Sequence, residues 1–412
     1  LIEREELANV ARVTTPRFIH HLRSARAMVA ALVLGCVVAG GGCTNTSNNA
    51  SPGTGGSGPG PGGGGGGQGN GSGNGDGGMP VGDGGPDAGP PGGYLWFAGA
   101  ELSGFTQAQT VASNTDGPGI IVSPSAMTAT FHDLVFDPDG NLWTLPIAGD
   151  KVLMIASYDL VQNSRPVPIL AISSTALKAP QALAFDDAGN LWVVSYNGTS
   201  SSVATIVRFD GVRGMTGGDV TLTPSLTIGP GTDATMINQF TQGTALAFDT
   251  AGSLWFGASA GVMRFDQPAN LQGTVTAAPA TIVSTGESYL SMAFDAAGSL
   301  WVTGSKSGFF VLRFANPGAL SGKVTPTPAA KVAIPAGTGT QMARFAGGLA
   351  FDADGSLWIA MSNQIISIAS PGALSGNVTA SPSIVLGLPA TVFPDLTSKL
   401  AFWPMPAGVP VE

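Results

Sequence analysis

From residue 94 onward, apolar residues fall into short runs broken by turns, and the 3.6-residue spacing of an amphipathic helix is nowhere sustained over ten positions. One run recurs. Phe-Asp, two variable residues, Gly, Asn or Ser, then Leu-Trp stand at 136–143, 185–192, 248–255, 294–301 and 351–358. A sixth copy is split, with LAFW at 400–403 carrying its first half and YLWFAG at 94–99 its second. The phenylalanines Phe136, Phe185, Phe248, Phe294, Phe351 and Phe402 are spaced by 49, 63, 46, 57 and 51 residues. Periods near this length, with several strands per unit, mark a propeller. Each unit reads as four strands: LAF, LWV, a segment such as TIVRF at 205–209 or FVLRF at 310–314, and a post-proline segment such as PSLTI at 224–228.

The repeat has a mechanical reading at each position. Blades pack face to face, so inner strands are buried on both sides and read as near-continuous apolar runs rather than alternating ones. Phe and Trp then fill the space between blades, and the recurring Ala184, Ala247, Ala293, Ala350 and Ala401 fit strands that crowd near an axis. Asp-x-x-Gly is a hairpin turn, in which the carboxylate accepts backbone N–H bonds and Gly supplies a positive φ. Asp137, Asp186, Asp249, Asp295 and Asp352 are therefore turn residues. A second repeat, at 266–279, 315–328 and 369–382 with a looser copy at 210–224, joins the third and fourth strands through a proline-led turn and a G-x-V-T step. Its recurrence in successive units points to a stacking device. The fold expected is all-β: a six-bladed β-propeller of four-stranded blades over 94–412, its ring closed by pairing 400–403 with 94–99.

The x-A-F-D-x-x-G-x-L-W core resembles that of NHL-repeat-like and gluconolactonase-like six-bladed β-propellers, and it is similar to the repeat core of virginiamycin-lyase-like proteins. The resemblance covers 94–412. It implies an architecture that hosts enzymes and binding modules alike, so any activity has to be argued from a site.

The first 93 residues read differently. Arg23 and Arg26 precede a mostly apolar stretch from Ala27 to Ala39 and then Gly40, Gly41, Gly42 and Cys43. This stretch is shorter than the roughly 20 residues that span a bilayer, and its basic flank and small-residue end read as an export signal. Residues 1–42 resemble a bacterial lipoprotein signal, which implies lipidation of Cys43 and an anchor in the outer membrane of the cell envelope. The only cysteines are Cys36 and Cys43, so the folded part has none with which to form a disulfide. Residues 43–93 are almost wholly Gly, Ser, Pro and Asn and cannot bury enough surface to offset their ordering entropy, so they read as a disordered tether. Its root-mean-square span is about 40 Å, from about 5–6 Å times the square root of its length.

Charge narrows the partners. Residues 1–42 hold five Arg and three acids; without them 12 basic side chains face 23 acidic ones, a net −11. So acidic a surface excludes nucleic acid and points to a monomer whose membrane contact is its anchor.

Candidate chemistry lies where the inner strands begin, around the mouth of the central channel: His132 and Asp133, Gln181, Gln242 and Thr244, Glu287, Arg344, and Asp395 with Lys399. Such positions are expected near solvent. His132 and Glu287 are the candidate catalytic pair, since an imidazole beside a carboxylate can act as a general base. The resemblance to gluconolactonase-type enzymes implies a central divalent cation, Ca or Mg, for which Asp133, Glu287 and Asp395 are the candidate ligands. The preferred reading is a tethered, non-enzymatic module that binds a protein, peptide or glycan at the channel. A metal-dependent lactonase or lyase is the alternative.

Overall fold

The computed structural model describes residues 93–106, 108, 118–124, 130–147, 149–161, 163–196, 203–230, 240–241, 243–284, 286, 289–304, 310–334, 346–361, 364–388 and 399–403. Cys43 and nearly all of the tether lie outside them. The described residues form six sheets, the blades, each with an antiparallel four-stranded core. In blade 2, Phe131–Phe136 is innermost, followed outward by Leu142–Pro146, Lys151–Ile155 and Leu170–Ser173. Blades 3 to 6 repeat this from inner strands Ala182–Phe185, Ala245–Phe248, Tyr289–Phe294 and Ala346–Phe351. Blade 1 joins both ends of the chain. Its inner strand is Leu400–Trp403, paired with Tyr94–Ala98 so that Tyr94 lies opposite Trp403 and Phe97 opposite Leu400. The six inner strands touch one another in an unbroken circle.

The repeat residues account for this packing. In five blades the repeat Asp holds the turn and the tryptophan together: Oδ1 of Asp137 accepts the N–H groups of Asp139 and Asn141, and Oδ2 accepts the indole N–H of Trp143 at 2.9 Å. The same indole bond, 2.8–2.9 Å long, joins Trp192 to Asp186, Trp255 to Asp249, Trp301 to Asp295 and Trp358 to Asp352. Each of these Trp, and the unpinned Trp96 of blade 1, meets the repeat Phe of the next blade edge-on. Pairs Trp96–Phe136, Trp143–Phe185, Trp192–Phe248, Trp255–Phe294, Trp301–Phe351 and Trp358–Phe402 have ring centroids 5.4–6.1 Å apart and planes at 63–77°. Edge-to-face geometry adds to the large area that each ring buries. The last pair, Trp358–Phe402, closes the circle onto the C-terminal strand.

Splitting the sixth copy has a local consequence. The residue after Phe402 is Trp403 rather than Asp, and Trp96 Nε1 is buried without a hydrogen-bond partner. Trp403 instead packs on Phe136 at 5.3 Å and over Gly140, where an added Cβ would come within 2.6 Å of its ring. Gly140 is thus required twice, for its φ of +82° and for this approach.

The second repeat crosses between blades. The connection after the third strand of one blade pairs in parallel with the outermost strand of the preceding blade before returning to form its own fourth strand. Gly218–Thr221 thereby joins Leu170–Ser173, Gly273–Val275 joins Leu226–Ile228, Gly322–Val324 joins Thr281–Val283, and Gly376–Thr379 joins Ala330–Ala333. Blades 2 to 5 are therefore five-stranded, and the fifth strand covers an otherwise open edge. At blade 1 the corresponding link is a single parallel bridge, Val122 to Ser164.

Arginine adds a second stitch. Arg208, Arg264 and Arg313 lie 5.5–5.8 Å over Trp192, Trp255 and Trp301 of their own blades. Their guanidinium groups donate to the carbonyls of Ala269, Gly318 and Gly372 in the proline-led turn of the next blade. Asp210 and Asp266 complete the first two, each accepting from Nε at 2.6 Å. Buried arginines persist where stacking and a full set of hydrogen bonds offset their desolvation.

Candidate functional site

The two ends of the ring differ in kind. At one end, five residues join the first and second strands in every intact copy: 137–141, 186–190, 249–253, 295–299 and 352–356. The repeat carboxylates there, Asp137, Asp186, Asp249, Asp295 and Asp352, are engaged by their own turns and tryptophans and so serve the scaffold. At the other end, the channel mouth, the segments leading into the inner strands are unequal: 229–244 precedes Ala245–Phe248, whereas only 284–288 precedes Tyr289–Phe294. The second-to-third connections there run from 259–260 to 197–203. Loops of unequal length on a regular scaffold are where binding surfaces are built.

Strand register aligns the mouth residues. Val135, Ala184, Ala247, Ala293, Ala350 and Ala401 each stand opposite the blade tryptophan. Two residues earlier lie Asp133, Ala182, Ala245, Ser291, Gly348 and Lys399, one per blade. An inner strand has a sheet neighbour on one side only, so some of its N–H groups need an acceptor from elsewhere. Asp133, turned by a bulge between Phe131 and Asp133, supplies two. Its Oδ1 accepts from Leu134 N at 2.8 Å and its Oδ2 from Leu183 N of the next blade at 2.7 Å. Ser291 does the same for Leu349 of blade 6, its Oγ accepting at 3.2 Å. Gly348 brings bare backbone against blade 1; a Cβ there would lie 2.6 Å from Leu400 N.

Burial corrects the expectation that these mouth residues lie near solvent. Asp133 is 4% exposed and Lys399 6%, and Gln181 and Thr244 are buried as well, because the crowded inner strands close over them. Gln181 donates to the carbonyls of Ala179 and Pro180. His132 is half-buried, and both it and Thr244 are engaged in contacts of their own. Burial pushes the Asp133 carboxyl up to about 6, against the opposing pull of the Lys399 charge and of the Leu183 and Leu134 N–H groups. Asp133 therefore changes charge in mildly acidic solution.

Gln242, Glu287, Arg344 and Asp395 lie outside the described residues, so of the candidate catalytic and metal-ligating residues the structure places His132 and Asp133, adjacent on one strand. Among the described residues there is no group of three or more His, Cys, Asp or Glu side chains able to hold a metal ion. The ring position shared by Asp133, Ser291 and Lys399 was hidden in the sequence. Counting two residues back from the recurring alanine exposes it.

No protein-family profile matches the chain, and no curated protein is detectably similar to it in sequence. Solved structures are similar in shape. The propeller in a nidogen–laminin complex is 10% identical with a TM-score of 0.48, over 74% of this chain and 97% of that one. A Bacteroides caccae protein of unknown function is 14% identical, TM-score 0.44, over 72% and 98%. A streptogramin B lyase is 14% identical, TM-score 0.39, over 72% and 74%. At such identities and scores these likenesses say nothing of activity, and the architecture rests on this chain's own strand pairing.

Proposed function

We propose that the chain is an exported, lipid-anchored propeller that works as a non-enzymatic binding module, taking a protein, peptide or glycan at its channel mouth. The observation that carries this reading is the contrast between the ends: uniform five-residue turns at one and connections of unequal length at the other. Asp133 supports it, since its two oxygens are already committed to the backbone of two blades. The proposed anchor is read from the Arg-flanked apolar stretch ahead of Cys43, and with it the proposal of a monomeric outer-membrane lipoprotein.

Two measurements test this. Replacing 231–239 with Gly and Ser of equal length is expected to leave the melting temperature within a few degrees of the parent while abolishing saturable binding of an envelope component to the immobilised domain. Metal analysis of the purified domain tests the lyase or lactonase alternative. A stoichiometric Ca, Mg or Zn ion that is lost on Glu287→Gln would overturn the non-enzymatic reading.

A further inference from the structure

Three cationic side chains among the described residues are more than nine-tenths buried: Arg208, Arg264 and Lys399. The two arginines are saturated by an aspartate, a carbonyl and a tryptophan face. Lys399 is not. Its backbone carbonyl accepts from Ala98 N at 3.1 Å, but its ammonium has no hydrogen bond or ion pair with any described residue. Asp133, the nearest described acid on a neighbouring inner strand, feels its charge, yet both Asp133 oxygens are turned to backbone N–H groups. Around the same ring position, Ala182, Ala245 and Gly348 carry no side-chain acceptor, and the Ser291 hydroxyl is turned to Leu349 N. Trp96 Nε1 and Ser103 Oγ are the sealed side-chain atoms without a partner among the described residues, and Nζ of Lys399 is not one of them. A buried ammonium is costly unless something pairs with it.

We infer that Lys399 is the anchor of an anion site in the channel mouth, and that the ligand of this module presents a carboxylate to its ammonium. The inference rests on the channel-mouth reading above and names the ligand's chemical class. Local charge gives the site a pH signature. Among the described residues of the strands packed against Lys399 and Asp133, the titratable groups are His132 and Tyr94. As pH falls through about 6, Asp133 loses its negative charge, which favours an anion beside it.

The probe is trifluoroacetate, a carboxylate ionised at every pH used, titrated into the 93–412 domain at constant ionic strength and followed by fluorine NMR. Saturable one-to-one binding is expected, about tenfold tighter at pH 5.0 than at pH 7.5, as for one neighbouring charge removed at short range. Lys399→Arg is expected to retain it. Lys399→Met, which keeps the stem volume, is expected to remove it without lowering the melting temperature. Non-saturating broadening that is equal in all three proteins, or wild-type binding indifferent to pH, would overturn the inference. Should trifluoroacetate fail while the 231–239 replacement still loses its envelope partner, the anion site falls and the binding face stands.

Discussion

Removing residues 399–412 is expected to abolish the cooperative unfolding transition of the domain. The deletion takes away the inner strand of blade 1, in which Leu400 and Phe402 are buried, and with it the aromatic pair Trp358–Phe402. Losses of about 2–5 kcal/mol for a buried Leu and about 3–5 kcal/mol for a buried Phe are typical. Tyr94–Ala98 would also lose its neighbour and expose Leu95, Trp96 and Phe97, which are fully buried in the closed ring. Together these approach the whole stability of a native domain, about 5–15 kcal/mol. Because each blade is clamped between two others, the loss is not confined to blade 1. Calorimetry reads it directly, and a melting temperature equal to that of the intact domain would contradict ring closure.

Asp133→Ala is the second large effect, and its size should depend on pH in an unusual direction. Alanine fits the position, since Ala182 and Ala245 occupy it in blades 3 and 4. What is lost is the acceptor for Leu134 N and Leu183 N, at about 1–3 kcal/mol for each buried donor left without a partner. The pH dependence follows from the raised carboxyl, ordinarily at 3.8 and here at about 6. Below 3.8 the folded and unfolded carboxyls are both protonated. Between 3.8 and 6 the unfolded chain releases its proton while the folded one keeps it, so the wild type loses stability as pH rises, by about 3 kcal/mol once pH passes 6. The substitution should therefore cost about 2–6 kcal/mol near pH 4 and roughly 3 kcal/mol less near pH 7.5. Denaturant titrations of both proteins at the two pH values measure the difference. An equal cost at both would show that Asp133 is not held protonated by burial.

The architecture was legible because its information repeats. Phe136-Asp137 to Leu142-Trp143 and its four copies state one geometry five times, and the halves at 94–99 and 400–403 can complete only each other. The turn role of the aspartates was legible too. Their second role was not: an Asp and a Trp six positions apart meet only once the hairpin has folded, as Asp249 Oδ2 and Trp255 Nε1 do at 2.8 Å. The proline-led repeats were readable as a stacking device, yet nothing local in G-x-V-T says that Gly322–Val324 pairs with Thr281–Val283 of the blade before it. The mouth residues were located but their environment was misjudged. Asp133 and Lys399 look like solvated polar residues in a linear reading, because burial there is created by neighbouring inner strands distant in sequence. Those singular residues lack a repeat to explain them, whereas function resides where the pattern stops.

The two ends of the folded part complete blade 1, and the closed ring depends on that pairing. Native-state hydrogen exchange tests it most directly. Amides of Leu95–Phe97 and of Leu400–Phe402 are expected to exchange only through global unfolding, with the same free energy as those of Ala245–Phe248 and Leu254–Phe256 in blade 4. Exchange of the C-terminal strand several orders of magnitude faster than that of blade 4 would contradict it.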